Sequence, residues 1–242
     1  MNYSDHSKVF CVGLHKTGTS TIGAALLKLG YSVLGCRLDM VHFLSQGNTT
    51  APLQLAGRYD ALQDVPWACL YKELDACYPG SRFILTVRDE SAWLESAKRH
   101  FGSMHIPLHE WIYGEGTLVG NESLYLERYQ NHQIEVRNYF VNRPNDLLIF
   151  DLARGDGWDE LCHFLDLKKP LSKFPHENKA PKNRNTRERL FFVVRGLTPL
   201  TLRSVVFEIK LFFRKLVGLP DPRNRFNNFR ENRRERRSWK KL

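Results

Sequence analysis

The run Gly13-Leu14-His15-Lys16-Thr17-Gly18-Thr19-Ser20 brackets a lysine and a histidine between two glycines and adds hydroxyl side chains at its end. Residues of these types in this order can hold an anion. Glycines let the backbone turn tightly, and a helix that starts just after such a turn presents unpaired N–H groups to a negative ligand. Lys16 contributes a full charge. Thr17, Thr19, Ser20 and Thr21 contribute hydroxyl and backbone donors, and His15 is placed to position the turn.

For that chemistry the run must sit between a strand and a helix. Residues 9–12 (VFCV) read as a buried strand, and residues 21–29 read as an amphipathic helix. Further strands are predicted at 31–35, 59–64, 82–88 and 147–151. Residues 37–57 read as an interrupted helix, broken at 47–50. Pro66 opens a helix that stops at Pro79-Gly80, and Asp89 is a suitable N-cap for a helix over 90–100. Residues 102–121 are Gly-rich and read as irregular. Helices follow at 123–142 and 157–165. Strands alternating with helices imply parallel β-α-β units, hence an α/β protein with three layers and a central parallel sheet of about five strands.

The 242 residues carry a formal net charge of +10, but unevenly. Residues 1–181 hold 18 Lys and Arg against 21 Asp and Glu; residues 182–242 hold 18 against 5. The basic character therefore belongs to an appendage. The predicted organisation is a domain over 1–181, then a basic helical extension and a disordered tail over 182–242. Residues 202–217 set aliphatic and Phe side chains beside Arg203, Lys210, Arg214 and Lys215. That pattern suits an anionic membrane surface, or equally a helix packed on the domain. The charge is not accompanied by a recognised RNA or DNA module, which argues against nucleic acid. Five scattered cysteines without C-x-x-C spacing read as reduced, buried thiols. With no signal-like N-terminus and no apolar stretch of spanning length, the expected location is cytoplasmic, with peripheral membrane contact through the basic end.

The glycine frame is G-x-x-x-x-G, as in nucleotide-binding P-loops, but Thr19 stands where their lysine would be and Lys16 comes three places earlier. In this form G-L-H-K-T-G-T-S resembles the 5′-phosphosulfate loop of sulfotransferases that use 3′-phosphoadenylyl sulfate (PAPS). A second match lies in TVRDESAWLESAKRHF, where Arg88 ends a strand and Ser96 follows eight residues later. In that family this pair binds the 3′-phosphate, for which a guanidinium fork and a hydroxyl are chemically suited. The segments DVPWACLYKELDACYPGSRFILTVRD, LLIFDLARGDGWDELCHFLDL and FPHEN extend the resemblance over about residues 8–180, to the small P-loop sulfotransferase-like branch.

The resemblance implies a P-loop fold and transfer of a sulfonate group from PAPS to a hydroxyl or amine, with no metal required. Lys16 would neutralise the phosphate that leaves. Asp64 is the first choice for the base, Asp39 the second and His42 the third. Lys179 and Lys182 are candidates for closing over the adenosine. The acceptor is left open among small molecules, lipids and carbohydrates, with Phe43, Trp111 and Tyr113 as candidate pocket residues. Two alternatives stand beside this reading. One is a kinase or NTPase using Asp151 as a Mg²⁺ ligand. The other is a non-catalytic, membrane-associated protein on the same fold.

Overall fold

A computed structural model of the chain describes residues 7–176. The predicted domain boundary after residue 181, the helical extension and tail, Lys179 and Lys182 lie outside the described residues.

The elements run in chain order as β1 (Val9–Cys11), α1 (Thr19–Leu29), β2 (Val33–Leu34), α2 (Val41–Leu44), α3 (Thr50–Ala56), β3 (Ala61–Gln63), α4 (Tyr71–Cys77), β4 (Arg82–Thr86), α5 (Glu90–Phe101), α6 (Pro107–Tyr113), α7 (Glu122–Tyr139), β5 (Leu147–Phe150) and α8 (Trp158–Phe164). Short 3-10 turns at Leu38–Met40, Trp67–Leu70 and Pro144–Asp146 lead into their neighbours. All the strand pairings are parallel, in the order β2-β3-β1-β4-β5. The molecule is thus α/β, with the expected five-stranded parallel sheet between helical layers.

Parallel strands are covered on both faces, so they must be apolar throughout, and successive residues must serve opposite cores. This is what β1 and β4 do. Phe10, Val12, Phe83 and Leu85 face one core with Trp67, Trp93, Leu108, Tyr125 and Tyr129. Val9, Cys11 and Ile84 face the other with Ile22, Leu26, Phe150, Trp158 and Leu161. Helices α1 and α8 therefore cover one side of the sheet, and α4 to α7 the other. Each such buried side chain contributes about 1.5–3 kcal/mol relative to exposure, which holds the strand ends, and the loops they carry, in place.

Two local expectations are corrected. Residues 102–121 are not wholly irregular: Pro107–Tyr113 form α6, started by Pro107 and closed by Gly114 in a left-handed conformation. The cysteines are free, but Cys36 and Cys77 are exposed, because one follows the short edge strand β2 and the other ends α4. No helix among the described residues is long and apolar enough to cross a membrane.

Candidate functional site

The first anion-binding candidate leaves β1 at the centre of the sheet. Gly13 is required by contact: a Cβ there would lie 1.9 Å from Thr86 Oγ1 and 2.5 Å from the Thr86 carbonyl oxygen. The backbone then turns through left-handed conformations at Lys16 (φ 67°) and Gly18 (φ 101°). Only at Gly18 is that turn free of a side-chain cost. The amides of Thr21 and Ile22 both donate to the Gly18 carbonyl, at 2.9 and 3.2 Å, which starts α1. The preceding amides of the first turn have no carbonyl within the helix to bond.

The carbonyls of this turn are tied back to the protein. His132 Nε2 donates to Val12 O at 2.7 Å, and Thr17 Oγ1 donates to Leu14 O at 2.6 Å. Trp93 Nε1 donates to His15 O at 2.8 Å, and Arg88 Nη1 donates to Lys16 O at 3.1 Å. In a trans peptide the next residue's N–H points opposite the carbonyl. Tying down His15 O and Lys16 O therefore aims the N–H groups of Lys16 and Thr17 away from these donors. Amide ends turned away from the tied carbonyls are positive, which is what an anion needs.

The loop side chains divide into two sets. His15 is buried among Trp93, Phe101, His109 and Tyr113, with ring centroids 5.8, 4.6, 5.0 and 5.6 Å away. The Tyr113 hydroxyl lies 3.1 Å from His15 Nε2. Burial holds His15 well below the usual histidine range, so the ring is neutral. His15 thus anchors the turn from beneath, leaving its backbone for the ligand side. Thr17 is also turned inward: having given its proton to Leu14 O, its oxygen accepts from Thr86 Oγ1 at 2.6 Å. Thr19 and Thr21 are buried, while Lys16, Gly18 and Ser20 remain partly exposed.

Arg88 lies two residues past β4, next to the loop, and is half-buried. Its bond to Lys16 O joins segments 72 residues apart. Asp89 accepts from Ala92 N at 2.9 Å and so caps α5 as expected. On that helix Ser96 follows Trp93 by three positions, which puts it on the same face as the ring that holds His15 O; Ser96 is half-buried.

Asp64 follows β3 in a left-handed conformation (φ 72°). Its Oδ1 accepts from Val65 N at 2.8 Å and its Oδ2 accepts from Thr19 Oγ1 at 3.2 Å. Burial pushes the carboxyl above its ordinary value, against the pull of these bonds and of the Lys16 charge. Asp64 is thus beside the loop, with a raised affinity for a proton. Asp39 is held differently. Arg37 grips it with Nε at 2.8 Å and Nη2 at 2.5 Å, and Arg37 N in turn donates to Val65 O at 3.1 Å. The segments that carry the two carboxylates are thus joined through their backbones, but Asp39 is neutralised by a guanidinium. His42 is exposed on α2. Phe43 and Trp111 are partly buried, whereas Tyr113 is a core residue, stacked on Tyr125 at 3.9 Å. Asp151 follows β5, an edge strand separated from β1 by β4, and its carboxylate accepts from Ala153 N at 2.9 Å.

The residues that hold the site from behind were not singled out by sequence: Trp93, Tyr129 and His132. One signal was present. Tyr125, Tyr129, His132 and Val136 recur at helical spacing and form the buried face of α7.

A family model described as "Sulfotransferase domain" matches residues 8–115 and 103–183. Among curated proteins, "Ava biosynthesis cluster protein M" of Aspergillus versicolor is 27% identical over 214 residues, covering 70% of this chain and 80% of that protein.

Proposed function

The chain belongs to the sulfotransferase domain family, and from that premise we propose that it transfers a sulfonate group from PAPS to a hydroxyl or amine. The observation that carries this reading is the bond from Arg88 Nη1 to Lys16 O. It sets Arg88 against the loop, which supports reading the two as one site, the loop for a 5′-phosphosulfate and the arginine for a 3′-phosphate. ATP has no 3′-phosphate for the second group to meet.

In this reading the acceptor oxygen or nitrogen attacks sulfur in line with the bridging oxygen. The S–O bond to the 5′-phosphate breaks, and its electron pair leaves with 3′-phosphoadenosine 5′-phosphate. Lys16 and the amides of the turn stabilise the charge that grows there, without reorganising. Ser20, Thr19 and Thr21 frame the 5′-phosphate, while Arg88 and Ser96 take the 3′-phosphate. The acceptor proton passes to Asp64, whose burial favours taking it. Asp39 is the weaker candidate because Arg37 already occupies both of its oxygens. Lys179 and Lys182 are assigned to the adenosine side on their sequence position alone. The acceptor stays open among small molecules, lipids and carbohydrates.

The test is thermal stabilisation by 3′-phosphoadenosine 5′-phosphate against ATP–Mg²⁺, with transfer of labelled sulfonate from PAPS over acceptor classes. Stabilisation by the first nucleotide, abolished in Lys16→Ala, is expected. Stabilisation by ATP–Mg²⁺ alone would return the kinase reading. Binding of neither nucleotide would favour the non-catalytic one.

A further inference from the structure

Arg88 is fixed through its backbone as well as its side chain. The Tyr129 hydroxyl donates to the Arg88 carbonyl at 2.7 Å and accepts the Arg88 N–H at 3.0 Å, a contact across 41 residues. One phenol thus satisfies both backbone polar groups of Arg88, two residues past the end of β4. Tyr129 is only 1% exposed. Its ring lies flat on Trp93, with centroids 4.2 Å apart and planes 9° apart. Burial raises the phenol to about 12, so it stays protonated and able to donate. Trp93 in turn holds His15 O, and His132, the next buried residue along α7, holds Val12 O. The buried face of α7 therefore reaches both candidate anion-binding segments.

We propose that Tyr129 is a positioning residue for the 3′-phosphate: by pinning the Arg88 backbone it sets the guanidinium at a fixed distance from the loop, and so determines the preference for a 3′-phosphorylated nucleotide. The proposal rests on the donor reading given above. Its physical basis is entropic. An arginine side chain has several rotatable bonds, and only a fixed origin and a fixed second contact, here Lys16 O, leave the rest of the fork aimed at one place. Without the hydroxyl, the Arg88 peptide would seek other partners, and the fork would move with it while the amides of the first loop stayed in place.

The experiment uses the full chain and two nucleotides, 3′-phosphoadenosine 5′-phosphate and adenosine 5′-phosphate, which differ only in the 3′-phosphate. In Tyr129→Phe the affinity for the first should fall about tenfold, the effect of losing a hydrogen-bonded arrangement of ordinary strength. Affinity for the second should change by less than about threefold, and this second affinity also reports that the loop is still folded. Equal weakening of both would mark a general structural role and overturn the proposal. In an Arg88→Ala background, Tyr129→Phe should have no further effect on the preference; an additive loss would overturn it too. A wild-type protein that binds both nucleotides equally overturns the donor reading and Tyr129's role with it. A wild-type preference that survives intact in Tyr129→Phe overturns the Tyr129 assignment alone.

Discussion

Thr19 donates its hydroxyl proton to Asp64 Oδ2 at 3.2 Å, joining the first residue of α1 to the residue that follows β3. The bond orients the carboxylate beside the loop while leaving it able to accept a further proton. If Asp64 is the base, Asp64→Asn lowers kcat about 100- to 10,000-fold and leaves the affinity for 3′-phosphoadenosine 5′-phosphate nearly unchanged. Activity of the native protein should fall as pH drops through the raised carboxyl value, because the base must be ionised. Stability follows the opposite sign. The folded state holds this proton more tightly than the unfolded one, so the contribution of Asp64 is lost as pH rises from 3.8 through the folded value. A pH–rate profile and melts of both proteins check the two limbs.

Acid should weaken the fold through its buried histidines. Burial lowers His132 to about 4 and His109 to about 3, from 6.5. The unfolded chain binds protons first, so stability is retained above pH 6.5 and lost as pH falls below it. The slope is up to about 1.4 kcal/mol per pH unit for each group. Urea unfolding between pH 7.5 and 4 measures this. His132→Gln, which can keep a donor for Val12 O, should flatten the slope and retain nucleotide binding, whereas His132→Leu should lose binding.

Gly13→Ala should be among the most damaging small substitutions. Its Cβ would collide with the hydroxyl and the carbonyl of Thr86, and both belong to the end of a central strand. A loss of about 3 kcal/mol is expected, read from denaturant unfolding. Adding Thr86→Ala removes only the hydroxyl collision, so recovery should be partial.

We propose that the basic C-terminal residues attach the chain to an anionic membrane, the other reading being a helix packed on the domain. Flotation with vesicles containing anionic lipid should recover the full chain and leave a chain ending at residue 198 in the soluble fraction. Equal recovery of both would remove the membrane partner.

Much of the fold was legible because β-α-β alternation leaves local marks. The five strands were predicted from apolar runs, and Asp89 was recognised as a cap from its type and position. Helix α6 was missed although Pro107 and Gly114 mark its ends, because glycines on both sides hid a helix of only seven residues. The loop itself could be read from eight consecutive residues. What holds it could not. Trp93 and His132 act 78 and 120 residues away from the carbonyls they bind, and nothing local to either one points there. The inward turn of Thr17 was hidden for the same reason: a threonine in such a loop reads as facing a ligand until the packing beneath it is known, whereas His15 was already read as positioning the turn.

The tied carbonyls of residues 12 and 14–16 also bear on ionic strength. Residues 1–181 carry 21 Asp and Glu against 18 Lys and Arg, so the net charge of the stretch that holds the loop does not itself attract a nucleotide. Capture of an anion must then come from oriented peptides and a few adjacent cations, which act over several ångströms and are poorly screened when partly buried. A site built this way keeps its grip in concentrated salt, where one that relied on a basic surface would lose it.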